Sequence, residues 1–121
     1  NPLIVHGQTH GGIVQGAGQA LFEHCFIDSE SGQPLAGSLM DYGISRADDF
    51  PSFKTEIAEV LSPTNPLGIK AGGEGGTTPA LAAIVNAVVD ALADFGIEDI
   101  DMPVTPERIW KAIHTARVQQ N

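Results

Sequence analysis

Apolar residues between His10 and Cys25 recur with the spacing of an α-helix. They occupy positions 13, 14, 17, 20 and 21, which places them on one helical face. We therefore predict a helix from about residue 8 to residue 25. Glycines inside a helix each cost up to ~1 kcal/mol relative to alanine, so something must approach where their side chains are missing. These glycines are Gly11, Gly12, Gly16 and Gly18.

Glutamines lie along a neighbouring stripe of the same predicted helix, at Gln8, Gln15 and Gln19. Two interpretations of this helix are open at this point. Either the glycines admit a second packed helix and the glutamines are solvated, or the glutamine amides bind a polar ligand that the glycines allow to come close.

The next part of the chain predicts a small antiparallel sheet. Residues 26 to 45 follow a strand, turn, strand pattern, with the turn at residues 29 to 34, so we expect a hairpin. Residues 46 to 53 form a loop, and Thr55 to Leu61 alternate as a further strand. Pro63 and Pro66 then end regular structure because each removes a backbone donor.

Thr78 and Pro79 begin the longest predicted helix, with Thr78 as N-cap and Pro79 as the first helical residue. Gly96 is placed to end it. The polar residues of this helix form one narrow stripe, so we expect the helix to be buried nearly all round. They are Asn86, Asp90 and Asp94.

A second Thr-Pro start, at Thr105 and Pro106, opens a helix through about residue 117, with a frayed tail after it. Its expected inner residues are Ile109, Trp110, Ile113 and Ala116. The predicted fold class is thus α+β: a glycine-rich helix, a small antiparallel sheet with a hairpin, and two C-terminal helices.

Composition narrows the possible functions. A length of 121 residues corresponds to a single domain, residues 1–121. Six basic against 15 acidic residues give a formal charge of -9, which disfavours nucleic acid and acidic membranes as partners. No apolar run approaches the ~18 residues of a membrane span. The single Cys25 excludes an internal disulfide, favours a reducing compartment, and is expected to pack in the core.

The densest chemical signal is the glycine-rich loop from Gly68 to Thr78, with Glu74 in its middle. A phosphate-binding loop is a poor match, because Glu74 would repel an anion and no Gly-Lys-Ser/Thr follows. Glycines on both sides let the backbone run close to a bound group while one carboxylate projects as a general base. The plainer alternative is a flexible surface turn with a solvated glutamate.

Several segments together resemble the molybdenum hydroxylases, the family of xanthine dehydrogenase, aldehyde oxidase and aerobic carbon monoxide dehydrogenase. The loop Gly68-Ile69-Lys70-Ala71-Gly72-Gly73-Glu74 is similar to the Gly-x-Lys-Gly-x-Gly-Glu loop of that family. The resemblance extends over nearly the whole chain, in the family's order. It includes residues 10–21, Met40-Asp41-Tyr42, residues 64–68 and residues 103–110, and the His-Gly-Gly-Ile form of the helix is most like bacterial carbon monoxide dehydrogenase large subunits.

This resemblance implies a role for Glu74 as the base at a molybdenum centre. It also implies that the helix at Gln15 reaches the molybdopterin, and that glycines of the helix and loop give the cofactor clearance. The implied cofactor-binding residues are Gln15, Gly11, Gly12, Gly16, Gly72, Gly73 and Gly75.

By the same resemblance, the chain is the C-terminal part of a larger molybdopterin-binding domain, in a subunit several times longer. The molybdenum-molybdopterin cofactor is expected in that parent and not in the fragment, which alone should be inactive. Implied partners are the remainder of the large subunit, iron-sulfur and FAD subunits or domains, and a small substrate. Carbon monoxide, aldehydes and N-heterocycles are all substrates within the family.

Two details of the residues qualify this picture. Ala71 stands where the family usually has glycine, and a positive φ there would strain it by roughly 1 kcal/mol. His6 and His10 are four residues apart and could pair on one helical face, but no third ligand is close in sequence, so no metal site on the chain itself is predicted. His24 and His114 are expected at the surface.

Two other classes of function compete with the enzyme part. One is a non-catalytic acidic α+β interaction module, for which Glu74 should be solvated on a mobile turn. The other is an independent hydrolase in which Glu74 works with Asp41 or His10, and this requires the second group within hydrogen-bonding reach of Glu74.

Overall fold

The computed structural model describes residues 1–119 and contains three α-helices. Helix α1 spans Pro2–Leu21, α2 spans Thr77–Leu92, and α3 spans Pro106–Gln119. Single 3-10 turns lie at Ala47–Asp49 and Ala93–Phe95. Residues 1–119 contain no β-strand, so the predicted antiparallel sheet is wrong and the fold is helical rather than α+β.

The predicted hairpin closes but does not extend into a ladder. Its turn is held because the Asp28 carboxylate accepts from the Ser31 amide at 2.8 Å and the Asp28 amide donates to the Gln33 carbonyl at 2.9 Å. Within residues 1–119, Ile27 and Pro34 form the only antiparallel bridge, and Pro34 has no N–H to donate. Residues 55–61 lie next to no partner strand within residues 1–119. The alternation of residues 55–61 fits the side-chain pattern of a strand, but a strand also needs a neighbouring backbone with which to form hydrogen bonds.

Helix α1 begins six residues before the predicted start, because Asn1 caps it. The Asn1 side chain accepts from the Leu3 amide at 3.1 Å, and Pro2 occupies the first turn, a position where the missing N–H of proline costs nothing. The helix ends at Leu21, whereas the predicted end is residue 25. Gly96 has the left-handed φ of 71° expected for the end of the α2 region.

Helices α1 and α2 pack through glycine. Gly12 and Gly16 are buried, and a Cβ placed on Gly16 would lie 2.5 Å from the Thr77 carbonyl oxygen and 2.9 Å from the Ala80 Cβ. Both distances are shorter than van der Waals contact. At these two positions the missing side chains therefore make room for the start of α2. This agrees with the first of the two interpretations, in which the glycines admit a second packed helix.

The end of α1 is held by two later segments. The Val104 amide donates to the Ala20 carbonyl at 2.7 Å, and Val104 is fully buried. The Tyr42 hydroxyl donates to the Glu23 carboxylate at 2.7 Å, and this hydrogen bond raises the pKa of the Tyr42 phenol above its ordinary value. The connections before and after α2 are thereby tied to the same helix end.

The buried apolar core is small. It consists of Ala17, Ala20, Ala80, Leu92 and Val104. The prediction that α2 is buried nearly all round is wrong, because Ala80 and Leu92 are its buried residues.

Two further burial predictions are also wrong. Trp110 is 62% exposed and stacks on the His114 ring at 5.0 Å, instead of facing inward. Cys25 is exposed and not in the core. Helix α3 runs regularly past Arg117 to Gln119, so the predicted fraying does not begin there. The last two residues of the predicted tail, 120 and 121, lie outside the described residues.

By length and composition, Thr77–Phe95 would be apolar enough to cross a membrane, a test that core helices of soluble proteins also pass.

Candidate functional site

The glycine-rich loop is anchored at its start by a local turn. Gly68 has a φ of 65°, a left-handed conformation that glycine adopts without strain. The Asn65 side chain accepts from the Ile69 amide at 2.9 Å and donates to the Ile69 carbonyl at 3.0 Å. The Ser62 amide donates to the Gly68 carbonyl at 3.1 Å. Hydrogen bonds within residues 62–69 therefore hold the start of the loop in place.

The end of the loop is pressed against α1. A Cβ placed on Gly76 would overlap the Thr9 carbonyl oxygen and would lie 2.9 Å from the Ile13 amide nitrogen. Because both neighbours are backbone atoms of a helix, only glycine fits at this position. The Thr78 amide donates to the Glu74 carbonyl at 3.2 Å, which joins the loop to the first turn of α2.

Two glutamines of α1 reach the loop and the start of α2. The Gln8 side-chain amide donates to the Gly73 carbonyl at 2.9 Å, and the Gln15 side-chain oxygen accepts from the Thr77 hydroxyl at 3.4 Å. One end of α2 therefore brings together the predicted residues Gln15 and Glu74. Gln8 was not predicted as a site residue, although its spacing of four from Gly12 puts it on the face that receives α2.

Glu74 lies on the surface, and loop residues on either side of it in sequence line two open grooves. One groove, of about 320 Å³, lies between α1 and α2 and includes Ile13, Gly75 and Pro79 in its lining. The other, of about 450 Å³, includes Ile4, Gln8 and Gly72. Glu74 is exposed, and its carboxylate makes no hydrogen bond within residues 1–119. The carboxylate is thus open to a molecule placed over the loop.

The predicted cofactor glycines divide into two groups. The space beside Gly12 and Gly16 is occupied by the start of α2. Added Cβ atoms on the other four would find open space or, on Gly75, an ordinary contact of 3.8 Å with the Gly72 carbonyl. These four are Gly11, Gly72, Gly73 and Gly75. Ala71 lies in a region of negative φ, since no residue other than glycine has a positive φ in the described part of the chain, so the anticipated strain does not arise.

The two histidines of α1 bind a threonine. His6 Nδ1 and His10 Nε2 lie 2.7 and 3.0 Å from the Thr55 Oγ1, so both rings hold the segment around Thr55 against α1. No group of three or more metal-ligating His, Cys, Asp or Glu side chains occurs in the part of the chain that the structure describes. Asp41 accepts a hydrogen bond from the Ser38 hydroxyl at 2.7 Å.

This arrangement does not support the hydrolase alternative. Within residues 1–119, neither His10 nor Asp41 forms a hydrogen bond with Glu74, and each has a different partner. A two-residue acid/base site requires that contact, or a shared water between the groups.

Comparisons with known proteins agree with the motifs. Residues 1–51 match the family described as the molybdopterin cofactor-binding domain. The 6-hydroxypseudooxynicotine dehydrogenase complex subunit gamma of Paenarthrobacter nicotinovorans is 47% identical over 113 residues, 91% of this chain and 14% of the relative. The xanthine dehydrogenase molybdenum-binding subunit of Escherichia coli O157:H7 is 38% identical over 96% of this chain and 15% of the relative. Over nearly its whole length, this chain is similar to one segment of the molybdenum hydroxylase large subunits.

Solved structures share the fold of this large-subunit segment. Quinoline 2-oxidoreductase from Pseudomonas putida 86 matches with a TM-score of 0.87 and 45% identity, covering 94% of this chain and 14% of that one. CO dehydrogenase from Oligotropha carboxidovorans matches with a TM-score of 0.91 and 32% identity, covering 98% and 15%. The resemblance that the motifs indicated is confirmed. The segment spans about one seventh of the length of its relatives.

Proposed function

We propose that this segment serves a molybdenum-molybdopterin hydroxylase or dehydrogenase, to which it contributes Glu74 as the catalytic base. The observation that carries the proposal is the 47% identity that extends over 91% of the chain. The exposed carboxylate of Glu74, on a loop braced at both ends, is compatible with this role.

The residues around Glu74 fit a bulky polar cofactor. The Gln15 oxygen accepts from Thr77, while its amide nitrogen has no partner within residues 1–119 and keeps two donors for a ligand. Gly11, Gly72 and Gly73 have open space where a side chain would be, so a ligand can approach their backbone closely. We propose that these residues hold the cofactor together with Gly75, and that Gly12 and Gly16 serve it indirectly by seating α2.

In the parent enzyme, the molybdenum-molybdopterin cofactor supplies a two-electron redox centre when it is bound. The proposed contribution of this chain to the reaction is to accept and move a proton. The Glu74 carboxylate can take a proton from an oxygen nucleophile placed within hydrogen-bonding distance. Its glycine neighbours let that oxygen approach without steric hindrance. A proton transfer of this kind typically contributes 10²–10⁴-fold to a rate.

The remainder of the large subunit is proposed to cover the apolar surface of this segment. Leu3, Ile4 and Val5 on α1 are exposed, and most large apolar residues of α2 are only half-buried. Monomeric soluble proteins rarely leave contiguous apolar patches of that extent open. The relatives are about seven times longer than the segment, which is ample chain to cover it.

Further partners and the substrate belong to the whole enzyme. We propose iron-sulfur and FAD subunits or domains as the route for electrons, and the cytoplasm as the location. Nicotine 6-hydroxylase large subunit, at 41% identity, and quinoline 2-oxidoreductase, at 45%, are named for nitrogen heterocycles. Heterocycles of this class are therefore the first substrates to test, ahead of aldehydes and carbon monoxide.

The experiment is to purify the full-length parent, measure its molybdenum content, and assay heterocycles, purines, aldehydes and carbon monoxide with an artificial electron acceptor. We expect bound molybdenum and oxidation of at least one heterocycle. A parent that binds no molybdenum would overturn the proposal and favour the non-catalytic interaction module.

A further inference from the structure

We propose that Gln8 is a positioning residue for Glu74, holding the loop so that the carboxylate points to one place. This inference rests on the proposed role of Glu74 as base. It starts from one contact: the Gln8 side-chain amide donates to the carbonyl of Gly73, the residue directly before Glu74, at 2.9 Å. The two residues are 65 positions apart in sequence, so the contact joins separate elements.

The loop has no other fixed point just before Glu74. Upstream, the bracing hydrogen bonds end at Ile69. Within residues 1–119, Gln8 is the hydrogen-bonding partner of residues 70–73. Gly72 and Gly73 also have no side chain to pack and open space around them. Glycine has the largest conformational freedom of any residue, so without Gln8 this stretch would sample many backbone conformations.

A hydrogen bond to the Gly73 carbonyl restrains Glu74 through the peptide plane. The Gly73 carbonyl and the Glu74 amide belong to one planar unit, so fixing the oxygen fixes where the Glu74 nitrogen lies. The Glu74 carbonyl is fixed on its other side by the Thr78 amide at 3.2 Å. With both peptide groups held, the direction in which the Glu74 side chain leaves the backbone is set.

Gln8 can act in this way because it stands on a rigid element. It lies in the 20-residue helix α1, and the same helix backbone receives the end of the loop, with Thr9 and Ile13 against Gly76. Gln8 and Gly76 therefore clamp the loop on either side of Glu74 from a single support. Sites built on helices hold catalytic groups more tightly than sites built on loops alone.

The test uses the full-length holoenzyme with its best substrate from the panel. Gln8→Met keeps the length of the side chain without a donor, and Gln8→Glu keeps its shape but cannot donate when ionised. We expect both to lower kcat at least ~10-fold, since misplacement of a catalytic group by about 1 Å can cost 10²-fold. KM should stay within about twofold, because uniform substrate binding is not altered. Molybdenum content and the unfolding temperature should not change.

Two further variants separate positioning from simple structural support. Gln8→Lys restores a donor that can reach the Gly73 carbonyl and should recover a large part of kcat. Gln19→Met changes an exposed glutamine of the same helix and should leave kcat unchanged. Unaltered kcat in Gln8→Met and Gln8→Glu would overturn the inference. Equal losses in Gln8→Lys and Gln8→Met would also overturn it.

Glu74→Gln, assayed alongside, distinguishes this inference from the proposed function. If Glu74→Gln abolishes turnover while Gln8→Met is fully active, the base assignment stands and the positioning role is wrong. If Glu74→Gln is fully active with its molybdenum retained, the base assignment itself is wrong and the positioning role falls with it.

Discussion

Glycines of α1 differ in what surrounds them, although the sequence presents them alike. Gly16 is buried against the Thr77 carbonyl and the Ala80 side chain, whereas a Cβ placed on Gly7 would have no heavy atom within 4 Å. The first provides a close approach between two helices. The second brings only the conformational cost of glycine in a helix.

Substituting these two glycines should therefore change stability in opposite directions. Gly16→Ala forces a methyl group within 2.5 Å of the Thr77 carbonyl oxygen and should destabilise the subunit by about 1–3 kcal/mol. Gly7→Ala should stabilise it by about 0.5–1 kcal/mol. The measurement is the thermal unfolding midpoint of the full-length subunit. A Gly16→Ala variant that unfolds no earlier than wild type would contradict the packing described for α1 and α2.

At the scale of elements, α1 organises the molecule by receiving segments from several parts of the chain. Its start holds the residues around Thr55 through His6 and His10, its middle seats α2 and the Glu74 loop, and its end binds Val104. Residues 50–61 contain no helix or strand of their own, and the histidine contacts tie them to α1 together with the packing of the Phe53 ring on the His10 ring at 5.6 Å.

Thr55→Val tests that tie, because valine has nearly the shape of threonine but no hydroxyl. Two hydrogen bonds are lost, each worth about 0.5–1.5 kcal/mol. We expect faster proteolytic cleavage within residues 50–61, with molybdenum content unchanged in the parent. Thr64→Val provides the control, since the Thr64 hydroxyl contacts only nearby Ser62, at 2.8 Å. Equal cleavage rates for the two variants would show that the histidines do not hold the segment.

The same elements show what sequence could and could not predict. The start of α3 at Pro106 was predicted to the residue, because caps and prolines are local signals. The start of α2 was predicted two residues late, since its N-cap is Gly76 and not Thr78, and Pro79 is its third residue. The sheet was wrong, because the alternation of residues 55–61 says nothing about a neighbouring strand. Glu74 and Gln15 came from motifs, but the contact from Gln8 to Gly73 joins residues 65 positions apart and has no local signature.

At the scale of the whole molecule, the core is too small for the apolar surface around it. Many large apolar side chains outside α2 are exposed, and the apolar helix α2 has only two buried residues. The prediction that α2 is buried nearly all round was wrong for this reason. The composition of α2 suits a helix that is packed on all sides, but residues 1–119 cover only part of its surface.

The 121-residue chain expressed alone should consequently bind a hydrophobic fluorescent dye strongly. Exposed apolar surface of this kind is what such dyes detect. We expect several-fold more dye fluorescence per mole of chain than from the full-length subunit, in which the same surface is covered. Similar fluorescence from both would contradict the proposal that the remainder of the large subunit packs on this segment.

The proposed role of Glu74 as the base can be tested by a single substitution at that residue. Glu74→Gln keeps the size of the side chain but cannot accept a proton at neutral pH. In the molybdenum-loaded parent, we expect this variant to have a kcat at least ~10²-fold below wild type, with molybdenum content unchanged and Glu30→Gln, a control at another exposed glutamate, fully active. Wild-type kcat in a molybdenum-loaded Glu74→Gln enzyme would contradict the proposed role.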